Sequence, residues 1–160
     1  FFNAAKALPE ETFLLGGNGW DSWVPDAPNI RYLGHVYTRD HNAFNCTPRA
    51  VLNINRESMA RYGFSPPTRV FEAAGAAACL ITDAWEGVET FLEPGSEVLV
   101  AADGDAVAAH LDALDEPRAR EIGRAAYRRV LAQHTYAHRA ALHEAVLDAR
   151  SQRVPQEVAL

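Results

Sequence analysis

Short apolar runs bounded by Gly, Pro, Asn or Asp alternate with segments of helical spacing along most of this chain, and that alternation limits the fold more than any other feature. The runs at 12–15, 30–33, 50–54, 78–82 and 98–101 read as strands, and 40–46, 68–76, 87–92, 105–114, 118–133 and 136–150 as helices. Val107, Leu111 and Leu114 recur at i, i+4 and i+7, which gives the helix over 105–114 a core-facing stripe, with Asp105 placed to favour its start. Strands apolar on both faces and joined by helical crossovers belong in a parallel sheet covered on both sides. The expected fold class is therefore α/β, a doubly wound parallel sheet with a helical C-terminal third.

At 160 residues and 48% hydrophobic, the chain suits one compact domain, expected over 1–150, followed by a polar tail over 151–160. Its opening at Phe1, with a helix-like 1–8 stopped by Pro9, reads as part of a longer protein. A signal peptide is disfavoured because no basic stretch precedes the apolar one. The net charge of −6 argues against a broad electrostatic grip on nucleic acid or anionic membrane, so any anionic ligand must be held locally. No apolar run approaches the roughly 20 residues that span a bilayer. Cys46 and Cys79 lack CxxC spacing and read as reduced thiols of a cytoplasmic protein, with a single disulfide as the alternative.

In an open parallel sheet, ligands bind beyond the carboxyl ends of the strands. The turns to inspect are Gly16-Gly17-Asn18-Gly19, Gly34-His35-Val36, Asn55-Arg56-Glu57-Ser58 and Asp83-Ala84-Trp85-Glu86. Ser22 stands where a dinucleotide fingerprint needs its third glycine, and no P-loop or G-x-S-x-G elbow occurs. His134 and His138 would share a helical face, but Ala141 and Leu142 take the next turn, so a metal site lacks its third ligand. Packing or solvent-facing histidines is the preferred reading.

The stretch Pro66-Pro67-Thr68-Arg69-Val70-Phe71-Glu72-Ala73-Ala74-Gly75 carries more. The prolines disfavour helix before them, Thr68 is a plausible N-cap, and Arg69 and Glu72 follow one turn apart. Free N–H groups at a helix start suit phosphate oxygens, and Arg69 would add a planar donor. Glu72 could accept hydrogen bonds from vicinal hydroxyls, which makes a nucleoside diphosphate a better fit than a carboxylate. The competing view is that Arg69 and Glu72 pair with each other on the helix surface. The alanines from Ala73 to Ala78 need mean no more than close helix packing.

The order Asn53-Ile54-Asn55, Arg69-Val70-Phe71-Glu72-Ala73-Ala74-Gly75, Leu80-Ile81-Thr82-Asp83, Glu89-Thr90-Phe91-Leu92-Glu93-Pro94-Gly95-Ser96-Glu97 and His134-Thr135-Tyr136-Ala137-His138-Arg139 resembles the CgeB-type (spore maturation protein-like) glycosyltransferases. The resemblance runs from Thr12 to Arg139 and implies the Rossmann-like, C-terminal donor-binding half of a GT-B glycosyltransferase. Such an enzyme moves a sugar from a nucleotide-diphosphate sugar to an acceptor held mainly by an N-terminal domain of the same protein. The resemblance implies that Glu72 takes the ribose hydroxyls and that Thr68 and Arg69 face the diphosphate. It sets Gly34, His35 and Val36 against the nucleobase, Asn55 and Arg56 on the sugar or phosphate side, and Glu89 near the donor sugar. It implies no cofactor or bound metal, and no catalytic residue is assigned. Many retaining relatives carry a glutamate eight positions before the ribose-binding one; here that position is Phe64. The alternatives are a non-catalytic nucleotide or carbohydrate-binding module and a nucleotide-sugar epimerase of the same half-fold. Trp20, Trp23 and Trp85 are expected to pack, Glu86 and Glu93 to face solvent, and Tyr136 and Arg139 to be structural.

Overall fold

The computed structural model describes residues 1–151, with side chains through 149. The proposed tail over 151–160 therefore lies outside the described residues apart from Ser151, which ends the last helix.

Among the described residues all five strands pair in parallel. They are β1 (Phe13–Gly16), β2 (Ile30–Gly34), β3 (Val51–Asn53), β4 (Leu80–Asp83) and β5 (Leu99–Ala101). β1 and β2 form one ladder and β3-β4-β5 another, with β4 central. Glu11 and Arg49, just before β1 and β3, form an ion pair at 2.8 Å, so the strands of both ladders start on the same side. A cleft of about 470 Å³ separates β1 from β3 and takes the place of the hydrogen bonds expected of one continuous sheet.

Residue alternation sorts the core into two faces. On one face Val51, Leu80 and Val98 pack with Val70, Ala73 and Ala74 of α4 (Thr68–Gly75) and with Ala126 and Val130 of α6 (Glu116–Gln133). On the other, Ile81 and Ala101 join Phe13 and meet Ala4 and Ala5 of α1 (Phe2–Ala7) and Leu111 of α5 (Gly104–Ala113). Helices on both faces of parallel strands make this a doubly wound, Rossmann-like domain. α6 and α7 (Tyr136–Ser151) supply its helical C-terminal part.

The remaining helices are α2 (His41–Cys46), preceded by a 3-10 turn, and α3 (Glu57–Tyr62), which begins within the turn expected over 55–58. The helix expected over 87–92 is only a 3-10 turn, Val88–Thr90. Gly87, in the left-handed region at φ 91°, breaks it from behind, and Pro94 disfavours helix ahead of it. β2 departs from the two-faced apolar expectation: it lies at the edge, and Leu33 is 51% exposed. Asp105 stands in the first turn of α5 as expected, and Asp103 and Asp115 cap α5 and α6 by accepting from Ala106 N (2.9 Å) and Arg118 N (2.8 Å).

Among the described residues no helix is long and apolar enough to cross a membrane. Both cysteines are free. Burial pushes the Cys79 thiol up to about 11, so it stays protonated near neutrality.

Candidate functional site

Because parallel strands point one way, the segments leaving β2, β3 and β4 emerge at one edge of their ladders. α4 lies in the crossover between β3 and β4 and runs back along the sheet, so its amino end sits at that same edge. Pro67, with φ −63° and ψ 150°, takes the N-cap position that the sequence assigned to Thr68, and no side chain caps the helix. Thr68 is instead the first helical residue. Its hydroxyl is free of capping duty; the Val70 N–H donates to the Pro67 carbonyl at 3.1 Å, and the N–H groups of Thr68 and Arg69 ahead of it face outward for another acceptor.

Arg69 and Glu72 are both exposed, and neither forms an ion pair among the described residues, so the surface-pair alternative is not realised. Arg69 reaches the cleft between the ladders, which Gly16 and Leu52 also line. Of the candidate residues it is the one that does so.

Behind this edge lies a hydrogen-bonded polar cluster. Asn53 Nδ2 donates to Thr82 Oγ1 at 3.0 Å and to Asn55 Oδ1 at 3.1 Å. Trp85 Nε1 donates to the same Thr82 oxygen at 3.3 Å, and the Thr82 hydroxyl donates to Asp83 Oδ1 at 3.4 Å. Asp83 Oδ1 also accepts from the Asn55 backbone N–H at 3.0 Å, tying the loop after β3 to the end of β4. Asn53 and Thr82 are each only 2% exposed. Asn55 Nδ2 is buried without a partner, a donor whose desolvation is uncompensated unless a ligand atom meets it.

After β2, Gly34 turns the chain at φ 64°, and His35 follows, edge-on to Tyr37 at 4.5 Å. The Arg39 guanidinium lies 5.6 Å from the Tyr37 ring centre. Val36 packs against Gly16 so closely that a Cβ there would come within 2.6 Å of it. Gly34, His35 and Val36 thus share the edge with Asn55, Arg56, Thr68, Arg69 and Glu72, while Glu89 lies in the 3-10 turn beyond β4. Asp83 opens one of the turns expected at the ligand-binding edge, whereas no motif in the sequence assigns a role to Tyr37, Asn53 or Thr82. The signal for Asn53 and Thr82 was available as polar residues ending otherwise apolar strands.

The other expectations divide. Trp85 is buried as expected and Trp20, 38% exposed, packs edge-on against Phe2 at 6.2 Å, but Trp23 is 74% exposed, and Tyr136 is 93% exposed and so does not pack. Arg139 does have a packing role, its guanidinium 5.7 Å from the Phe71 and Phe91 ring centres. His134 and His138 do not share a helix, because α6 ends at Gln133 and α7 begins at Tyr136. His134 Nε2 lies 3.1 Å from the Phe91 carbonyl and His138 Nδ1 2.6 Å from Thr135 Oγ1. No cluster of three or more metal-ligating side chains occurs among the described residues.

Comparison with known proteins fits this architecture. The model of the glycosyl transferase-like family matches residues 1–145, and the chain belongs to that family. Its fold is similar to that of Anabaena HepE, solved in complex with UDP and glucose, with a TM-score of 0.69 and 12% identity. It is also similar to sucrose-phosphate synthase from Thermosynechococcus elongatus (TM-score 0.64, 14% identity) and to AviGT4, a glycosyltransferase involved in avilamycin A biosynthesis (0.56, 18%). These matches take in 92%, 93% and 93% of this chain but only 44%, 49% and 46% of the respective structures. At such identities the likeness speaks for the fold alone. No curated protein matches the chain.

Proposed function

We propose that this domain is the donor-binding half of a GT-B glycosyltransferase, of the CgeB type its motifs resemble, and that it transfers a sugar from a nucleotide-diphosphate sugar. The observation that carries the reading is the carboxyl edge itself. Among the described residues it combines an uncapped helix start, an Arg69 and, one turn on, a Glu72 that form no ion pair, and the orphaned Asn55 amide. In this reading the first N–H groups of α4, the Thr68 hydroxyl and Arg69 hold the diphosphate, and Glu72 accepts from the two ribose hydroxyls. The nucleobase lies along Gly34, His35 and Val36, and Asn55 and Arg56 face the sugar or phosphate side. Glu89 stands near the donor sugar.

Chemically, breaking the bond from the sugar's anomeric carbon to the diphosphate leaves negative charge on the departing oxygens. Donors fixed in advance around that charge lower the barrier more than they strengthen ground-state binding. Arg69 and the helix start would supply this, and neither requires a metal or cofactor. The acceptor would be held by a separate N-terminal domain of the same protein, since structures of this fold are about twice this chain's length. A cytoplasmic setting belongs to the same proposal, supported by the two free thiols.

A thermal-shift screen against UDP, GDP and dTDP, repeated with Glu72→Ala and Arg69→Ala, tests the reading. The best diphosphate should raise the melting temperature of the parent and raise that of either variant much less. A lost hydrogen bond to a charged group weakens binding by roughly tenfold or more. Variants that respond like the parent would remove these residues from the site.

A further inference from the structure

Phe64 occupies an unusual position for an aromatic residue. Its φ is 46°, in the left-handed region that bulky side chains avoid, and its N–H donates to the Glu86 carbonyl at 2.6 Å. Its ring lies against Gly87: a Cβ added there would come within 2.3 Å of the ring, and Gly87 is itself at φ 91°. On the other side of the same joint, a Cβ at Gly63 would meet Glu86 Cβ at 2.9 Å. Two glycines and a short backbone hydrogen bond therefore seat the ring on the loop after β4, yet Phe64 remains 58% exposed. A ring clamped on one side and open on the other, in a backbone conformation that costs free energy, is a built surface.

We propose that the open face of Phe64 is the platform on which the donor's sugar ring rests, which makes Phe64 a residue that selects a pyranose with an apolar C–H face. The inference rests on the donor-site reading above and on the order of the strands. If the base lies after β2 and the diphosphate at the start of α4, the sugar extends toward the loop after β4, where Phe64 and the Glu89 turn stand. A pyranose presents C–H groups on one face and hydroxyls around its rim. The negative π face of an aromatic ring attracts those polarised C–H groups and shields them from water. Asn55 and Glu89 would remain available to the rim hydroxyls.

The test is calorimetric titration of the intact protein with three matched pairs: UDP and UDP-glucose, GDP and GDP-mannose, dTDP and dTDP-glucose. The parent should bind the sugar nucleotide of one pair more tightly than its bare diphosphate. Phe64→Gly, which suits the positive φ, should erase most of that advantage, roughly five- to tenfold, and leave the diphosphate affinity unchanged. Phe64→Leu, which keeps bulk against Gly87 without a π face, should lose it as well, and Phe64→Trp should keep it. The proposal is overturned if Phe64→Leu retains the full advantage, if the diphosphate weakens in step with the sugar nucleotide, or if the parent shows no advantage while binding diphosphate. If the parent binds no member of any pair, the donor-site reading fails and takes this inference with it.

Discussion

Gly123 lies where an added Cβ would come within 2.1 Å of the Ala77 carbonyl oxygen, so α6 meets the turn after α4 backbone to backbone. The alanine run from Ala73 to Ala78 was legible as close packing, but the glycine that completes it, 45 or more residues away in sequence, was not. Gly123→Ala should destabilise the domain by about 1–3 kcal/mol in urea unfolding, because neither backbone can give way cheaply. His134 makes a different kind of contact. The Phe91 carbonyl can only accept, so Nε2 carries the proton, and Nδ1 is left to accept from Arg139 Nη2 at 3.3 Å. Burial first, then the Arg139 charge, hold its pKa below the ordinary value. With the folded pKa depressed, the unfolded chain takes up the proton first. The stability His134 secures is therefore whole above about pH 6.5 and is lost as pH falls toward the folded value. Melting temperature should drop more steeply below about pH 6.5 in the parent than in His134→Gln, and equal slopes would contradict the assignment.

Helix α4 illustrates what sequence reveals about an element. Its start after two prolines, its small residues suited to close packing and the i, i+3 spacing of Arg69 and Glu72 were all readable. Which residue occupies the cap was not, because Thr at a helix start and Pro before it satisfy the same pattern. The caps of α5 and α6 were missed for the same reason: several acidic residues cluster near each start, and only geometry selects Asp103 and Asp115. Replacing either by Ala should cost about 1 kcal/mol in urea unfolding. α3 and the 3-10 turn at Val88–Thr90 are too short to be legible. Six residues or fewer with no apolar periodicity give a sequence pattern little to work with.

At the scale of the whole molecule, parallel strands and alternating helices were legible because each strand is short, apolar and bounded by turn residues. The interruption between β1 and β3 was not, since nothing local to either strand encodes the spacing between them. Across that cleft the two ladders are joined by the core that Phe13 shares with Ile81, Ala101 and Leu111. Phe13→Ala should therefore cost about 3–5 kcal/mol, with fluorescence and circular dichroism still tracing one transition. The candidate site is likewise a property of the assembled domain, since three loops and a helix start from different parts of the chain meet only at the carboxyl edge. The central claim is that this edge receives an activated sugar's nucleoside diphosphate. Backbone amide chemical shifts recorded while titrating the most stabilising diphosphate test it most directly. The predicted result is a set of perturbed amides at Gly34, His35, Val36, Asn55, Arg56, Thr68, Arg69 and Glu72. Perturbations gathered at Arg49, Ser96 and Asp115, by the opposite edge where strands begin, would contradict it.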